Sequence, residues 1–311
     1  MNIRQFEYIL AVAKHRHFEL AAEKCFITQS TLSTMISRFE KEMGIQVFDR
    51  KKKPIGLTAE GKMVIAQLKK IVREIEHLEE LTQEIKGEVK GALSMAVIPT
   101  IAPFLLPKFL QAFAGKFPDL QIQVREQTTE EIIRNIKRRE LDIGILSIPV
   151  EDKELIEVEL YDEPFVFYDA AEVVKPELAI DQLDVTNLCL LEEGHCMRTQ
   201  IINLCDMHKK QLHQMLNFEY KAGSIDSLMR FVKANQATTL LPHLATVEMS
   251  PEEMHHVRTF LDPVPYRTVG LVVHRHFVKK KLLGRLKVSI INAIEPHLPE
   301  ITIKGQQLDP I

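Results

Sequence analysis

Apolar residues recur at helical spacing from the start of the chain. Phe6, Ile9, Leu10 and Ala13 fall at i, i+3, i+4 and i+7 and predict a first helix. Phe18, Ala21, Ala22 and Cys25 predict a second, short helix, with alanines where two helices approach closely. Thr28 is placed to cap a third helix over Gln29–Met43, whose buried face would be Leu32, Ile36, Phe39 and Met43. Thr58 can cap a further helix reaching about Ile85. Its Val64, Leu68, Ile71, Ile75, Leu78 and Ile85 follow alternating spacings of three and four, with Leu81 slightly off register. The opposite face carries Lys69, Lys70, Arg73, Glu74, Glu79 and Glu80. Such a stripe covers either the helix's own body or a second chain, and the charge behind it favours the second chain. A helix of about 28 residues spans roughly 42 Å, enough to hold two small domains apart. Lys86-Gly87-Glu88-Val89-Lys90-Gly91 then reads as a hinge.

Beyond the hinge the pattern becomes α/β. An apolar strand over 92–98 ends at Pro99-Thr100, and a helix runs on through Pro107 and Phe113. A strand over 120–124, a helix over 129–139 and a buried strand over 141–147 follow, an alternation that predicts parallel strands with crossover helices. Further strands are expected at 165–169, 188–191 and 238–241. A strand over 268–273 would return to the first sheet before a last helix over 278–295. A chain that leaves one sheet, builds another and comes back makes two lobes with a cleft. The expected division is 1–58, 59–90 and 91–311, with lobe I at about 91–163 and 267–300 and lobe II at about 164–266.

The chain has 311 residues, enough for two or three domains with proper cores, and 45 % hydrophobic and 27 % charged residues mark an ordinary globular composition. The start lacks the basic and apolar regions of a signal peptide, and no apolar run reaches membrane-spanning length, so the expectation is a cytoplasmic protein with no membrane partner. Four cysteines in so long a chain make no disulfide framework, and a bridge here would be transient. The net charge of −3 is unevenly spread: residues 1–57 hold ten Lys or Arg against six Asp or Glu, leaving an acidic remainder. A basic module on an acidic body suggests a nucleic-acid-binding end.

The third helix sharpens this expectation. Its outer side shows Gln29, Ser30, Thr31, Ser33, Thr34, Ser37 and Arg38, short hydroxyls, an amide and one cation in place of the Glu and Lys of a solvated helix. Such groups can reach base edges and phosphates of double-stranded DNA without repelling it. Asp49-Arg50-Lys51-Lys52-Lys53-Pro54-Ile55-Gly56-Leu57 follows as a basic turn between short strands, a wing in which Arg50 and Lys52 would meet the backbone. A lysine run alone is usually a solvated turn; the conjunction of three helices, a hydroxyl-rich third helix and a basic wing predicts a winged helix-turn-helix. Phe18-x-x-Ala21-Ala22-Glu23, Thr28-Gln29-Ser30-x-Leu32-Ser33-x-x-Ile36-x-x-Phe39-Glu40, Gly44-x-x-x-Phe48-x-Arg50 and Leu57-Thr58-x-x-Gly61 resemble the LysR-type transcriptional regulators. The resemblance implies an N-terminal winged helix-turn-helix, a dimeric linker helix and a two-lobed Rossmann-like effector domain similar to periplasmic binding proteins. It further implies an operator as partner, a homodimer or homotetramer, and contact with RNA polymerase.

Cys196 and Cys205 stand nine residues apart. In a helix nine residues rise roughly 13.5 Å and turn about 900°, which places the two thiols on opposite faces. A disulfide needs Cα atoms within roughly 7 Å, so oxidation would have to unwind the segment. Gly194 precedes a position where a helix can begin, and free helix N–H groups, His195 and Arg198 would favour a reactive thiolate at Cys196. Cys205, followed by Asp206, fits a resolving role. Taken alone, the two cysteines could be inert, or could join His195 and His208 around zinc, since Cys205-x-x-His208 has ligand spacing. Cys25 and Cys189 read as packing residues.

Leu191-Glu192-Glu193-Gly194-His195-Cys196-Met197-Arg198, with Ile98-Pro99-Thr100, Pro103, Leu105-Leu106-Pro107 and Arg267-Thr268-Val269-Gly270-Leu271, is similar to a hydrogen-peroxide-sensing subgroup of the same family. That likeness implies hydrogen peroxide as effector, Cys196 as the peroxidatic and Cys205 as the resolving cysteine. It implies a pocket of Thr100, Thr129, His195 and Arg267, to which Arg198 is added; Thr128 leaves the register at Thr129 open by one. The chain departs from the subgroup after Cys205, at Met207-His208-Lys209-Lys210. No Gly-rich phosphate loop or catalytic serine motif stands out, and neither cofactor nor metal is expected. The rival readings are a regulator that binds a metabolite in the cleft and, in another class, a thiol peroxidase.

Overall fold

The structure, a computed structural model, describes residues 1–171, 176–183, 187–192, 194–204, 220–299 and 305–310. The chain divides into two compact units, Met1–Lys86 and Gly87–Ile311.

In the first unit α1 (Ile3–His15) is opened by Asn2, which forms a capping box with Gln5. α2 (Phe18–Lys24) ends with Cys25 as its C-cap, one residue short of the expected helix. α3 (Gln29–Met43) is capped by Thr28 and closed by Gly44 in the left-handed region. Phe6, Ile9, Val12, Ala21, Ala22, Leu32, Ile36 and Phe39 close the core. Met43, expected in that core, is 48 % exposed because Gly44 ends the helix at the rim. β1 (Phe48–Asp49) and β2 (Gly56–Leu57) pair antiparallel as the wing.

α4 (Ala59–Lys86) corrects the expected seam. Leu68 and Ile65 are buried in the core of the helical head, with Val64, Ile71 and Val72 packed against it. The first half of the stripe therefore covers the helix's own body. Leu78, Leu81 and Ile85 are exposed and form the unpartnered part.

In the second unit β3 (Gly91–Val97), β4 (Leu120–Glu126) and β5 (Ile143–Ile148) run parallel, joined by α5 (Ala102–Lys116) and α6 (Thr129–Lys137). Gly144 lets α6 lie close: a Cβ there would stand 2.4 Å from Ile132 Cγ2. β6 (Leu155–Asp169) is one strand serving both lobes, and the strand expected at 165–169 is its second half. Up to Pro164 it pairs with β10 (Val264–His274); from Phe165 it pairs with β8 (Thr238–Pro242). β10 returns to the first sheet as expected and runs antiparallel to both β5 and β6, an orientation the pattern had not specified. Lobe II adds β7 (Glu177–Leu178) and β9 (Val257–Phe260), α7 (Cys196–Leu204), α8 (Ile225–Ala234) and the short α9 (Pro251–Met254). The strand expected at 188–191 is not formed; Leu188 and Leu191 make isolated bridges to Thr238 and Ala222. α10 (Lys280–Ile294) packs on α5, and β11 (Gly305–Gln307) joins the edge of β10 in parallel. Each lobe has its own core: Phe109, Ile145 and Leu286 lie in the first, Phe165, Ile201 and Leu240 in the second.

Candidate functional site

The carboxyl ends of β3, β4 and β5 assemble a polar cluster at one edge of the lobe I sheet. That edge is where open α/β sheets place their ligands, since the loops there are free to carry side chains. Thr100 follows β3, Thr129 follows β4 and Ser147 stands near the end of β5. All three are buried.

Arg267 of β10 is fully buried and joins this edge. Its Nε and Nη2 donate to Glu163 Oε2 at 2.9 and 2.8 Å, its Nη1 to Thr100 Oγ1 at 2.9 Å, and its Nη2 also to the Thr100 carbonyl at 3.0 Å. Glu163 is the direct cross-strand partner of Arg267, and it also accepts the Leu244 N–H at 2.9 Å. A charge so deep in the protein requires this full set of partners.

Cys196 opens α7 and is 6 % exposed. Its Sγ lies 3.9 Å from Ser147 Oγ, and the side chain belongs to the lobe I core while Met197 and Ile201 belong to that of lobe II. Ser147 pairs with Val269 across the sheet, and Arg267 is two residues along the same strand. Alternation puts Ser147, Val269 and Arg267 on one face, so the thiol rests on the sheet face that carries the arginine. Gly194 has φ +96°, a left-handed value that favours glycine, and a Cβ there would meet Thr128 Cγ2 at 3.9 Å. The loop before Cys196 therefore abuts the start of α6.

The start of α6 distinguishes the two threonines. Thr128 is the N-cap: its Oγ1 accepts from the Glu131 N–H at 3.4 Å and bonds Glu131 Oε2 at 3.2 Å. The Thr129 hydroxyl is buried and has no hydrogen-bond partner among the described residues. A buried hydroxyl left in this state costs free energy unless something polar meets it. His195 is 8 % exposed, and burial pushes its ring pKa down against the opposing pull of Glu192, 4.0 Å away. Its imidazole is thus biased to the neutral form, a hydrogen-bond partner more than a cation. Arg198 donates from Nη1 to the Leu191 carbonyl at 2.8 Å and so ties the loop that precedes α7. The structure joins Thr100, Glu163 and Arg267 through hydrogen bonds and sets Cys196 on Ser147. Burial raises the thiol pKa of both Cys25 and Cys189. Cys205 and His208 lie outside the described residues; among those described, no group of three or more His, Cys, Asp or Glu could hold a metal, and no helix is long and apolar enough to cross a membrane. Ser147 is the lone polar side chain of an apolar strand, a signal the sequence does carry, whereas Glu163 stands among Glu157, Glu159 and Asp162 on β6 and only the fold sets it apart.

A second cluster lies on the first unit. Thr28 Oγ1 accepts the Thr31 N–H at 3.3 Å and shares hydrogen bonds with Ser30 and Thr31. Gln29, Ser30, Thr31, Thr34 and Arg38 are exposed and Ser33 is half-buried. The Thr34 hydroxyl donates to the Ser30 carbonyl, and Arg38 is paired with Glu42 at 2.9 Å. Lys52 is 68 % exposed on the wing, 3.7 Å from Asp49. Arg50 is held internally, donating to Ser33, Ser37 and Glu40 at 3.5, 3.0 and 3.1 Å, with its guanidinium over the Phe18 ring. Glu40 in turn accepts the Val47 and Phe48 N–H groups, so Arg50 and Glu40 together pin the wing to α3.

Comparison with known proteins places these features in context. The model of the bacterial regulatory helix-turn-helix protein, lysR family, matches residues 3–62, and that of the LysR substrate binding domain matches residues 86–286. The chain is 32 % identical over 308 residues to the hydrogen peroxide-inducible genes activator of Dickeya chrysanthemi, covering 98 % of this chain and all of that one. It is 32 % identical over 314 residues to the DNA-binding transcriptional dual regulator OxyR of Escherichia coli K12, covering 97 % and 98 %. Its fold is similar to that of a full-length OxyR variant from Pseudomonas aeruginosa, with a TM-score of 0.71 and 27 % identity over 94 % of this chain and 98 % of that one.

Proposed function

We propose that this chain, which belongs to the LysR family of bacterial transcriptional regulators, senses hydrogen peroxide through Cys196 and transmits the oxidation to bound operator DNA. It is a regulator and not an enzyme, and it acts in the cytoplasm, where the DNA is. The observation that carries the reading is the placement of the buried Cys196 on Ser147, on the sheet face of Arg267 and beside the sheet edge that carries Thr100 and the Thr129 hydroxyl, which has no partner among the described residues. The Thr129 hydroxyl and neutral His195 hold the two peroxide oxygens. The cation of Arg267 lowers the energy of the negative oxygen that departs.

The chemistry balances in two steps. Cys196 sulfur attacks one peroxide oxygen; an S–O bond forms, the O–O bond breaks, and the departing hydroxide takes the thiol proton to leave as water. Cys196 is then a sulfenic acid, oxidised by two electrons. The Cys205 thiol attacks that sulfur, an S–S bond forms, and the sulfenic oxygen leaves as a second water. The intact helix blocks this second step. Cys196 and Leu204 bound α7, so about 12 Å of helical rise separates them. A bridge allows no more than about 7 Å between Cα atoms, so a helix that keeps this rise up to the residue before Cys205 opposes its closure. The C-terminal part of α7 must therefore unwind, altering the lobe–lobe contacts, and this rearrangement is the signal. A titration with peroxide, read by sulfenic acid trapping and operator footprinting, tests the reading. A footprint that responds to a metabolite and not to peroxide would instead favour a regulator with its ligand in the cleft.

DNA is met by Gln29, Ser30, Thr31, Ser33, Thr34 and Arg38 of α3 and by Lys52 of the wing. Lys52→Ala is expected to lower the salt slope of operator binding by about 0.9, one phosphate contact, with the fold unchanged. Arg50→Glu is expected to act differently. It places a carboxylate beside Glu40 and frees the wing, costing about 1–3 kcal/mol of head stability, discounted for the 42 % exposure of Arg50. Thermal melts of the two variants separate the roles; equal stability in both would contradict the internal assignment of Arg50.

The chain works as a homodimer, and as a homotetramer if the effector domains also pair, with RNA polymerase as the further partner at the promoter. Leu78, Leu81 and Ile85 are the exposed part of the α4 stripe. Leu78→Asp with Ile85→Asp is expected to dissociate that pairing while leaving the helical head folded, whereas Leu68→Asp would unfold the head. Sedimentation checks this; an unchanged dimer in the double variant removes the seam.

A further inference from the structure

The end of the chain runs back through the sensing region. Residues 305–307 add β11 to β10 in register with Val264–Tyr266, and the Leu308 N–H donates to the Tyr266 carbonyl at 2.8 Å. Gln307 Nε2 then reaches lobe I, donating to Thr268 Oγ1 at 3.0 Å and to the Ile148 carbonyl at 3.4 Å. The next residue turns the other way. Leu308 is 4 % exposed in the lobe II core, in the cluster that contains Met197, Ile201 and Leu204 of α7. Its carbonyl accepts from Gln200 Nε2 at 2.7 Å, and Gln200 is fully buried on α7.

We propose that residues 305–310 are a positioning strap that seats the helix carrying Cys196. Successive side chains, Gln307 and Leu308, hold the two lobes, and among the described residues the hydrogen bond from α7 to the strap comes from Gln200, one turn after Cys196. A strap that holds α7 in its helical form opposes the unwinding that a bridge to Cys205 requires. It therefore stabilises the reduced state against the oxidised one. The strap itself rests on geometry alone; its effect on oxidation rests on the peroxide-sensing reading above.

Two variants of the full chain test it: removal of residues 305–311, and Gln200→Leu, which keeps the strap but cannot donate. Amide hydrogen exchange of residues 197–204 is measured in the reduced protein. Exchange there is expected to rise at least about tenfold on removal of the strap and about fivefold in Gln200→Leu, the loss of one buried hydrogen bond, with α8 of the same lobe unchanged. Exchange in α7 equal to wild type in both variants overturns the strap, as does an equal rise in α8, which would mark general loosening of the lobe. The second measurement is the glutathione ratio at which half the protein is bridged. There Cys196 and Cys205 lose two electrons and two protons as their S–S bond forms, and glutathione disulfide takes them and breaks to two thiols. The strapless chain is expected to bridge at about a tenfold more reducing ratio, close to 30 mV. If α7 loosens and the wild type bridges but the midpoint stays, the strap has no part in sensing. If α7 loosens and even the wild type never bridges, the strap stands and the cysteine-pair mechanism falls.

Discussion

Cys196→Ser is expected to leave the regulator blind to peroxide, with oxidation at this site slowed by at least about a thousandfold. The hydroxyl is isosteric enough to keep the contact with Ser147 and the start of α7, so the fold and operator binding in the absence of peroxide stay as in wild type. What is lost is the nucleophile, because sulfur and not a serine oxygen attacks a peroxide bond at neutral pH. Cys205→Ser separates the two steps. It is expected to accumulate a Cys196 sulfenic acid that dimedone traps stoichiometrically, without the locked, bridged form. A Cys196→Ser protein whose footprint still changes with peroxide would place the sensor elsewhere in the chain.

Arg267→Met carries the largest cost in stability. The methionine fills much of the volume but leaves Glu163 buried, 1 % exposed, with the Leu244 N–H as its remaining partner in that cluster. Breaking a buried pair in this way costs about 3–5 kcal/mol, and for a domain of this size that is a fall in melting temperature of roughly 6–20 °C. Replacing both partners, Arg267→Met with Glu163→Leu, is expected to recover most of the stability, because the uncompensated charge is gone. It should not recover the peroxide rate, because the cation that meets the departing oxygen is also gone. Thermal melts and sulfenic acid kinetics on the single and double variants read the two effects apart. A double variant that regains the wild-type rate would confine Arg267 to a structural role.

Local pattern made much of the head legible. The caps Thr28 and Gly44, the stripe Leu32, Ile36 and Phe39 and the hydroxyl face of α3 are properties of neighbouring residues, and periodicity reads them directly. Periodicity shows that a face is buried but not what covers it. Leu68 and Leu78 belong to one repeat, yet the first packs on its own head and the second is exposed. Arg50 reads as a phosphate contact in sequence because its partner Glu40, ten residues earlier on α3, is brought to it only by the fold. In the effector domain the first three strands, their parallel course and the returning strand were legible, whereas the long β6, the missing strand at 188–191 and the antiparallel direction of β10 were not. The antiparallel entry of β10 between β5 and β6 is a long-range choice, and it is this choice that sets Arg267 opposite Glu163 and Ser147 opposite Val269. Thr100, Thr129, His195, Cys196 and Arg267 enter through a family likeness, and their roles are those proposed above; Ser147, Glu163 and the strap at 305–310 needed the fold, since each acts through a partner distant in the chain.

Peptide mapping by mass spectrometry after one equivalent of hydrogen peroxide tests the central claim most directly. The account predicts a single intramolecular bridge between Cys196 and Cys205, two of the four thiols consumed, Cys25 and Cys189 still free, and an operator footprint that changes in step with the bridge. A bridge that involves Cys25 or Cys189, or a footprint that changes fully while Cys196 and Cys205 remain unbridged, would contradict it.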